Sequence, residues 1–250
     1  MGARRQHNEA VTYARQFALP FPQHDHYAPA DFLPGACNAE ALAWIAEPHA
    51  WPMLRLLVHG PDGAGKTHLL HVFAARHQAA LLPALAVRRL EPPPEAAALA
   101  IDDADSVADP RALLHLLNAA AELGIPVLLS ARTPPASWAI ALPDLASRLR
   151  ATTSVALSVP EDDLLRPLLA RLLADRQLRV PEKLQDFLLA RLPRTGGALR
   201  EAAARLDRLS LAEGRTVSRA MAAQVADELG EGDAETQTKR FEDPPGLFAA

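Results

Sequence analysis

Residues 25–159 alternate short apolar runs with stretches of helical period. Apolar runs at 54–58, 80–87, 98–103, 125–130 and 154–159 predict five buried strands, the second interrupted by Pro83. Helical patterns fall between them. Residues 39–45 follow Asn38, a residue type that caps helix starts. Residues 68–75 form a second helical pattern. Residues 109–124 run from Asp109 as cap and Pro110 in the first turn to Gly124 at the end. Residues 145–150 form a short fourth helix. Strands that alternate with helices predict an α/β fold with a five-stranded parallel sheet. Pro160 ends this pattern. Helices are predicted at 161–178, 181–192, 198–214 and 218–230, with a broad apolar stripe at Leu164, Leu165, Leu168, Leu169, Leu172 and Leu173. The predicted organisation is a polar tail over 1–24, an α/β base over 25–159, an all-α domain over 160–230 and a disordered tail over 231–250.

The junction of the first strand with its helix carries the chemistry. Gly60, Pro61, Asp62, Gly63, Ala64, Gly65, Lys66 and Thr67 fit G-x-x-x-x-G-K-[ST], with a strand before and a helix from His68 after. Glycines let the backbone turn its N–H groups onto a phosphate, and the helix N-terminus adds positive partial charge there. Lys66 is placed to reach β- and γ-phosphates and the Thr67 hydroxyl to ligate Mg²⁺. Lysine occurs only at positions 66, 183 and 239, against many arginines. A compact ammonium kept in this loop is a specific choice.

A strand closing on two acids is the expected partner of such a loop. Asp102 is the candidate Mg²⁺ ligand, directly or through water, and Asp103 the group that orients or deprotonates the attacking water. Asp105 reads as a surface or helix-start acid. Ser130 closes the next strand, at the carboxyl edge where parallel sheets bind ligands. Arg148 and Arg200 are candidate phosphate-facing cations, though among so many arginines residue type alone favours a solvated or paired side chain.

Composition narrows the function classes. The 250-residue chain is 49% hydrophobic, with net charge −4 and pI about 6.1, which does not favour a dedicated duplex-DNA binder. The single cysteine, Cys37, permits no internal disulfide and suggests a reducing, cytoplasmic setting, with Cys37 as a small buried apolar residue. No stretch has the length of a membrane span, and no signal-peptide pattern opens the chain. Within the first tail, Gln16, Phe17, Ala18, Leu19, Pro20 and Phe21 place apolar anchors around a proline. Such a segment either packs on its own domain or docks as an extended peptide on a partner. His24 and His26 have strand-like spacing that could ligate a metal, but without further ligand types nearby they read as exposed or hydrogen-bonded.

The loop at 60–67 with His68, the strand closing on Asp102 and Asp103, Ser130, the Ser147-Arg148-Leu149 segment and Gly197 with Leu199-Arg200-Glu201 occur in this order. Together they resemble the ATPase domain of the bacterial chromosomal replication initiators, the DnaA family, a branch of the AAA+ ATPases. The resemblance spans roughly residues 25–230. It implies an AAA+ base with a helical lid, and ADP or ATP with Mg²⁺ as ligands, His68 among the nucleotide-contacting residues. Ser130 is then the sensor 1 position, Arg148 an arginine finger acting on a neighbouring subunit's nucleotide, and Arg200 the lid arginine, sensor 2.

The departures point to a variant of that plan. The initiators' C-terminal DNA-binding domain has no counterpart in the acidic, Pro/Gly-interrupted last 20 or so residues, so sequence-specific DNA binding is not expected. Residues 87–98 have room only for a proline linker where initiators insert helices that grip single-stranded DNA. Ala131 replaces an acid after the sensor, which puts weight against fast hydrolysis by this chain. What remains resembles the short Hda-type regulators of initiator inactivation. The segment Gln16, Leu19, Pro20, Phe21 then resembles their sliding-clamp-binding peptide. The expected partners are the clamp, the initiator's AAA+ domain and further copies of the chain, with cytoplasmic, clamp-mediated placement at the nucleoid. The alternatives are a self-sufficient ATPase such as a helicase loader, or a nucleotide-gated adaptor without a role in hydrolysis.

Overall fold

The computed structural model describes residue 27 and residues 29–88 and 95–242. The predicted peptide with Gln16, Leu19, Pro20 and Phe21, the two histidines at 24 and 26, and the triproline linker lie outside the described residues.

Five parallel strands form one sheet: β1 (Arg55–His59), β2 (Ala79–Pro83), β3 (Ala98–Asp102), β4 (Val127–Ala131) and β5 (Thr153–Ala156), in the order β2-β3-β4-β1-β5. The second strand runs only to Pro83, paired with Asp102 at the edge of the sheet, and the expected continuation to 87 is instead a 3-10 turn over Ala84–Ala86. Side chains of a strand alternate between faces, so β1, β2, β3 and β4 serve two cores, while the edge strand β5 buries only Val155, on one face. Leu57, Leu99, Ile101, Val127 and Leu129 face α3 (Pro110–Glu122) and α4 (Pro143–Arg150). Leu56, Val58, Ala98, Ala100, Leu128 and Val155 face α1 (Ala39–Ala46) and α2 (Lys66–His77). Apolar residues on both faces are why the strands read as continuous runs rather than alternating ones.

Two helix starts illustrate local logic. Asp109 caps α3, its Oδ1 accepting from the N–H groups of Arg111 at 2.9 Å and Ala112 at 3.1 Å. Asn38 precedes α1 but does not cap it with its side chain. Its Oδ1 accepts from the Gly35 N–H and its Nδ2 donates to the Leu33 carbonyl, pinning the loop before the helix. Cys37, expected to be buried, is only partly covered.

Four helices follow the sheet: α5 (Asp162–Asp175), α6 (Glu182–Leu189), α7 (Gly196–Glu213) and α8 (Arg219–Glu242). Leu165, Leu168, Leu169, Leu172 and Leu173 of α5 pack with Leu188, Leu199, Leu206 and Val225 in a separate core. The last helix corrects one expectation. It continues past Gly230 to Glu242, where a disordered tail was expected to start at 231. Glu, Ala, Gln and Lys in that stretch favour helix, and single glycines cost only about 1 kcal/mol each. No helix among the described residues is long and apolar enough to cross a membrane.

The sheet order decides where chemistry is possible. Strands β3, β4 and β1 are neighbours, so their carboxyl ends bring residues 102–105, 130–132 and 59–60 side by side under the four-helix domain.

Candidate functional site

A cleft of about 310 Å³ lies between sheet and helical domain. Its floor is the β1–α2 loop, with Asp62, Gly63, Ala64, Gly65, Lys66, Thr67 and His68 in its wall. Thr195, Gly196, Gly197 and Arg200 form the opposite wall from the start of α7, and Asp103 and Arg132 close one end. The glycines are required by close approach. A Cβ on Gly60 would lie 2.2 Å from the Leu157 carbonyl oxygen. Gly63 has φ +79°, and a Cβ there would lie 2.2 Å from the Thr195 Cγ2. The helical domain thus rests directly on the loop at Gly63.

Lys66 opens α2 and is 6% exposed. Its Nζ donates to the carbonyl oxygens of Gly60 at 2.7 Å and Pro61 at 2.9 Å. Loss of water around the ammonium holds its pKa below the usual lysine range, aided by Arg132 and opposed by Asp62, Asp103 and Asp105. The same charge, together with burial, lowers the His59 pKa, burial being the larger cause.

Asp102 accepts one hydroxyl on each carboxylate oxygen, which leaves further lone pairs open. Thr67 Oγ1 donates to its Oδ2 at 2.9 Å, and Ser130 Oγ donates to its Oδ1 at 2.5 Å. Ser130 is fully buried and also accepts from the Asp103 N–H at 2.9 Å. It therefore braces the two acids rather than lining the cleft. Asp103 has a left-handed backbone, φ 53°, which aspartate tolerates better than most residues and which turns the chain sharply at the strand end. Its side chain opens into the cleft, yet loss of hydration raises its pKa, and the carboxylates of Asp102 and Asp105 push in the same direction. A proton on Asp103 is thus held more tightly than on an ordinary aspartate. Thr67 and Asp102 offer a hydroxyl and a carboxylate oxygen within hydrogen-bond distance. That oxygen pair suits a hard divalent ion such as Mg²⁺ completed by water and phosphate. When bound, the ion would supply charge neutralisation at the β- and γ-phosphates.

Aromatic rings line the other end. His68 is 5% exposed between Phe32, edge-on at 5.0 Å, and Tyr27, edge-on at 5.5 Å. Tyr27 also stacks on His71 at 4.5 Å, and the Arg200 guanidinium stands 5.7 Å from the Tyr27 ring centre. Arg200 is the fifth residue of α7, whose start is capped by Thr195 Oγ1 accepting from the Ala198 N–H at 3.1 Å. Sequence reasoning missed Tyr27, Phe32 and Arg132 in this wall. Of the two readings of Asp105, surface or helix-start acid, the second holds: it lies in a 3-10 turn over Ala104–Ser106, its Oδ2 accepts from the Arg132 N–H at 2.9 Å and its Oδ1 is buried. Arg148 is not part of the cleft wall. It lies in the last turn of α4, partly buried, and pairs with no carboxylate among the described residues, Asp144 included.

A parallel sheet in the order β2-β3-β4-β1-β5, a G-x-x-x-x-G-K-T loop between β1 and α2, paired acids closing β3 and an α-helical domain define an AAA+ P-loop fold. Solved structures bear this out. Domain III of the Thermotoga maritima replication initiation protein DnaA matches with a TM-score of 0.70 and 18% identity, over 84% of this chain and 99% of that one. AMPPCP-bound DnaA from Aquifex aeolicus matches at 0.61 and 18%, over 76% and 68%. The Thermotoga maritima RuvB Holliday junction branch migration motor matches at 0.60 and 18%, over 78% and 70%. The fold is thus DnaA-like AAA+. Neither a protein-family model nor a curated protein matches the sequence.

Proposed function

We propose that the chain is a nucleotide-binding AAA+ regulator of DNA replication initiation. It binds ADP or ATP with Mg²⁺ in the cleft, docks on the sliding clamp through Gln16, Leu19, Pro20 and Phe21, and presents Arg148 to ATP held by the replication initiator. Nucleotide on this chain acts mainly as a structural ligand that sets the angle between base and lid.

The observation that carries this reading is the position of Arg148. It stands away from the chain's own cleft with no acidic partner among the described residues, as a cation meant for another subunit would. A guanidinium supplied in trans neutralises charge on the transferring phosphoryl group and is worth about 10³–10⁵ in rate. The likeness to DnaA, one example of which is AMPPCP-bound, supports both nucleotide and initiator as partners. Resemblance of the N-terminal peptide to clamp-binding segments supports the docking partner. A clamp on DNA would concentrate the regulator where initiation has just occurred.

The assembled Thr67, Asp102, Asp103 and Ser130 favour a second reading, a self-sufficient ATPase. Hydrolysis measured for the chain alone, the initiator alone and the mixture, each with and without clamp-loaded DNA, separates the two. The regulator reading requires stimulated turnover only in the complete mixture. Fast turnover by the chain alone, unchanged by initiator or clamp, would establish the motor instead.

A further inference from the structure

We infer that Asp62 and Arg132 form a latch at the phosphate end of the cleft and that Arg132 makes the site prefer a nucleoside triphosphate over a diphosphate. The inference rests on the reading of the cleft as a nucleotide site and names which nucleotide its own residues select.

Position comes first. Arg132 follows the last residue of β4, and β4 lies beside β1, with Ala131 paired to His59. The Gly60 N–H donates to the Ala131 carbonyl at 3.2 Å, so Arg132 emerges where the phosphate loop begins. Its backbone is fixed independently of its guanidinium, because the Asp105 carboxylate, in the 3-10 turn that follows β3, accepts its N–H. An arginine is thereby anchored at the carboxyl ends of three adjacent strands, in the cleft wall with Lys66 and Asp103.

The guanidinium is held loosely. Its Nε stands 3.5 Å from Asp62 Oδ1, and the two side chains are 39% and 51% exposed. Ion pairs so open to water are worth about 0–1 kcal/mol and exchange readily. The loop N–H groups and Lys66 suffice for the first two phosphates of a bound nucleotide. A third adds charge beyond them, toward the ends of β3 and β4. A terminal phosphate matches the planar guanidinium fork better than one carboxylate oxygen at 3.5 Å does. Arg132 therefore leaves Asp62 for the terminal phosphate when a triphosphate binds and returns to Asp62 over a diphosphate. Asp62, a carboxylate inside a phosphate-binding loop, opposes the triphosphate by repulsion and by competing for Arg132.

Calorimetric titration with Mg²⁺-ADP and Mg²⁺-AMPPCP tests the latch. Arg132→Ala should lower AMPPCP affinity roughly 10–100-fold, the worth of a charge-assisted hydrogen bond, and leave ADP affinity within about twofold. Asp62→Asn should raise AMPPCP affinity by up to about fivefold, and the same substitution should gain less in the Arg132→Ala background, where only relief of repulsion remains and no competition for Arg132 is left to remove. Equal losses for both nucleotides in Arg132→Ala would make Arg132 a general support of the loop and overturn the latch. Unchanged affinities would overturn it as well. A wild-type chain that bound neither nucleotide would defeat the nucleotide reading itself, and the latch with it.

Discussion

Substituting Gly63 by Ala perturbs the contact on which base and lid meet. Two penalties can be separated. At φ +79° an L-residue pays about 1–2 kcal/mol for the left-handed backbone. The new Cβ would also lie 2.2 Å from Thr195 Cγ2 and 2.7 Å from Thr195 Cβ, so the start of α7 must retreat or distort. Overpacking of this kind costs about 1–3 kcal/mol. The sum is about 2–5 kcal/mol, and for a chain of this size each kcal/mol lowers Tm by about 2–4 °C. Retreat of α7 carries Arg200 away from the cleft, so nucleotide affinity should also fall by roughly tenfold or more. Thr195→Gly discriminates. Alone it loses the α7 cap, which glycine replaces at a cost of a few tenths of a kcal/mol, roughly. In the double variant it removes the clash and leaves only the backbone term, so about 1–3 kcal/mol should return, read as a coupling energy in the four-membered cycle. Thermal and urea unfolding with nucleotide titration would measure it. Wild-type behaviour of Gly63→Ala, or no recovery in the double variant, would refute the claim that the lid rests on this glycine.

Three further outcomes follow from the same geometry. Lys66→Ala should abolish the thermal stabilisation given by saturating nucleotide, which at a hundredfold excess over Kd amounts to about 2.7 kcal/mol; an unchanged Tm shift would remove the loop from the site. Arg55→Met should raise stability in the absence of partners by about 1–3 kcal/mol in urea unfolding. The Arg55 side chain is 4% exposed with its Nε and Nη1 unpartnered, its pKa lowered by burial and then by Arg148; a loss of stability would mean the cation is structurally required. Asp103→Asn should raise Tm at neutral pH. The folded state holds the Asp103 proton more tightly than the unfolded one, so ionisation subtracts stability as pH rises through the folded pKa. The gain should shrink as pH falls toward about 4, where the unfolded group also protonates, and a gain that grew on acidification would contradict the sign.

Much of the fold was legible because it is written locally. Apolar runs bounded by Gly, Pro and Asp mark the five strands, and the loop motif states its own strand-loop-helix context. The meeting of Thr67 with Asp102 was legible from the loop motif and the acid-closed strand, and the gathering of strand carboxyl ends put Ser130 in the same region, but its role as a brace of Asp102 was not read. What was not legible depends on long-range choices among residues of ordinary type. Asn38 had two backbone directions open to its amide, and only the placement of Leu33 and Gly35 decides between them. Arg132 and Asp105 show no link until β3 and β4 are set side by side. Tyr27 and Phe32 reach His68 across a separation in sequence that no periodicity reports. Arg55 opens an apolar strand where a cation would be expected to face water, and the structure buries it. The helix from Arg219 to Glu242 outlasts two glycines because its other residues favour helix.

The central claim is that Arg148 acts on nucleotide held by another protein, and one measurement tests it most directly. ATP hydrolysis by the replication initiator is followed with clamp-loaded DNA and either the wild-type chain or Arg148→Ala, with clamp and nucleotide binding confirmed in the same mixtures. The account predicts that Arg148→Ala binds both normally and loses stimulation by about 10³-fold or to the unstimulated rate, and that Arg148→Lys fails as well, because a point charge does not reproduce the planar fork. Full stimulation by Arg148→Ala would contradict it.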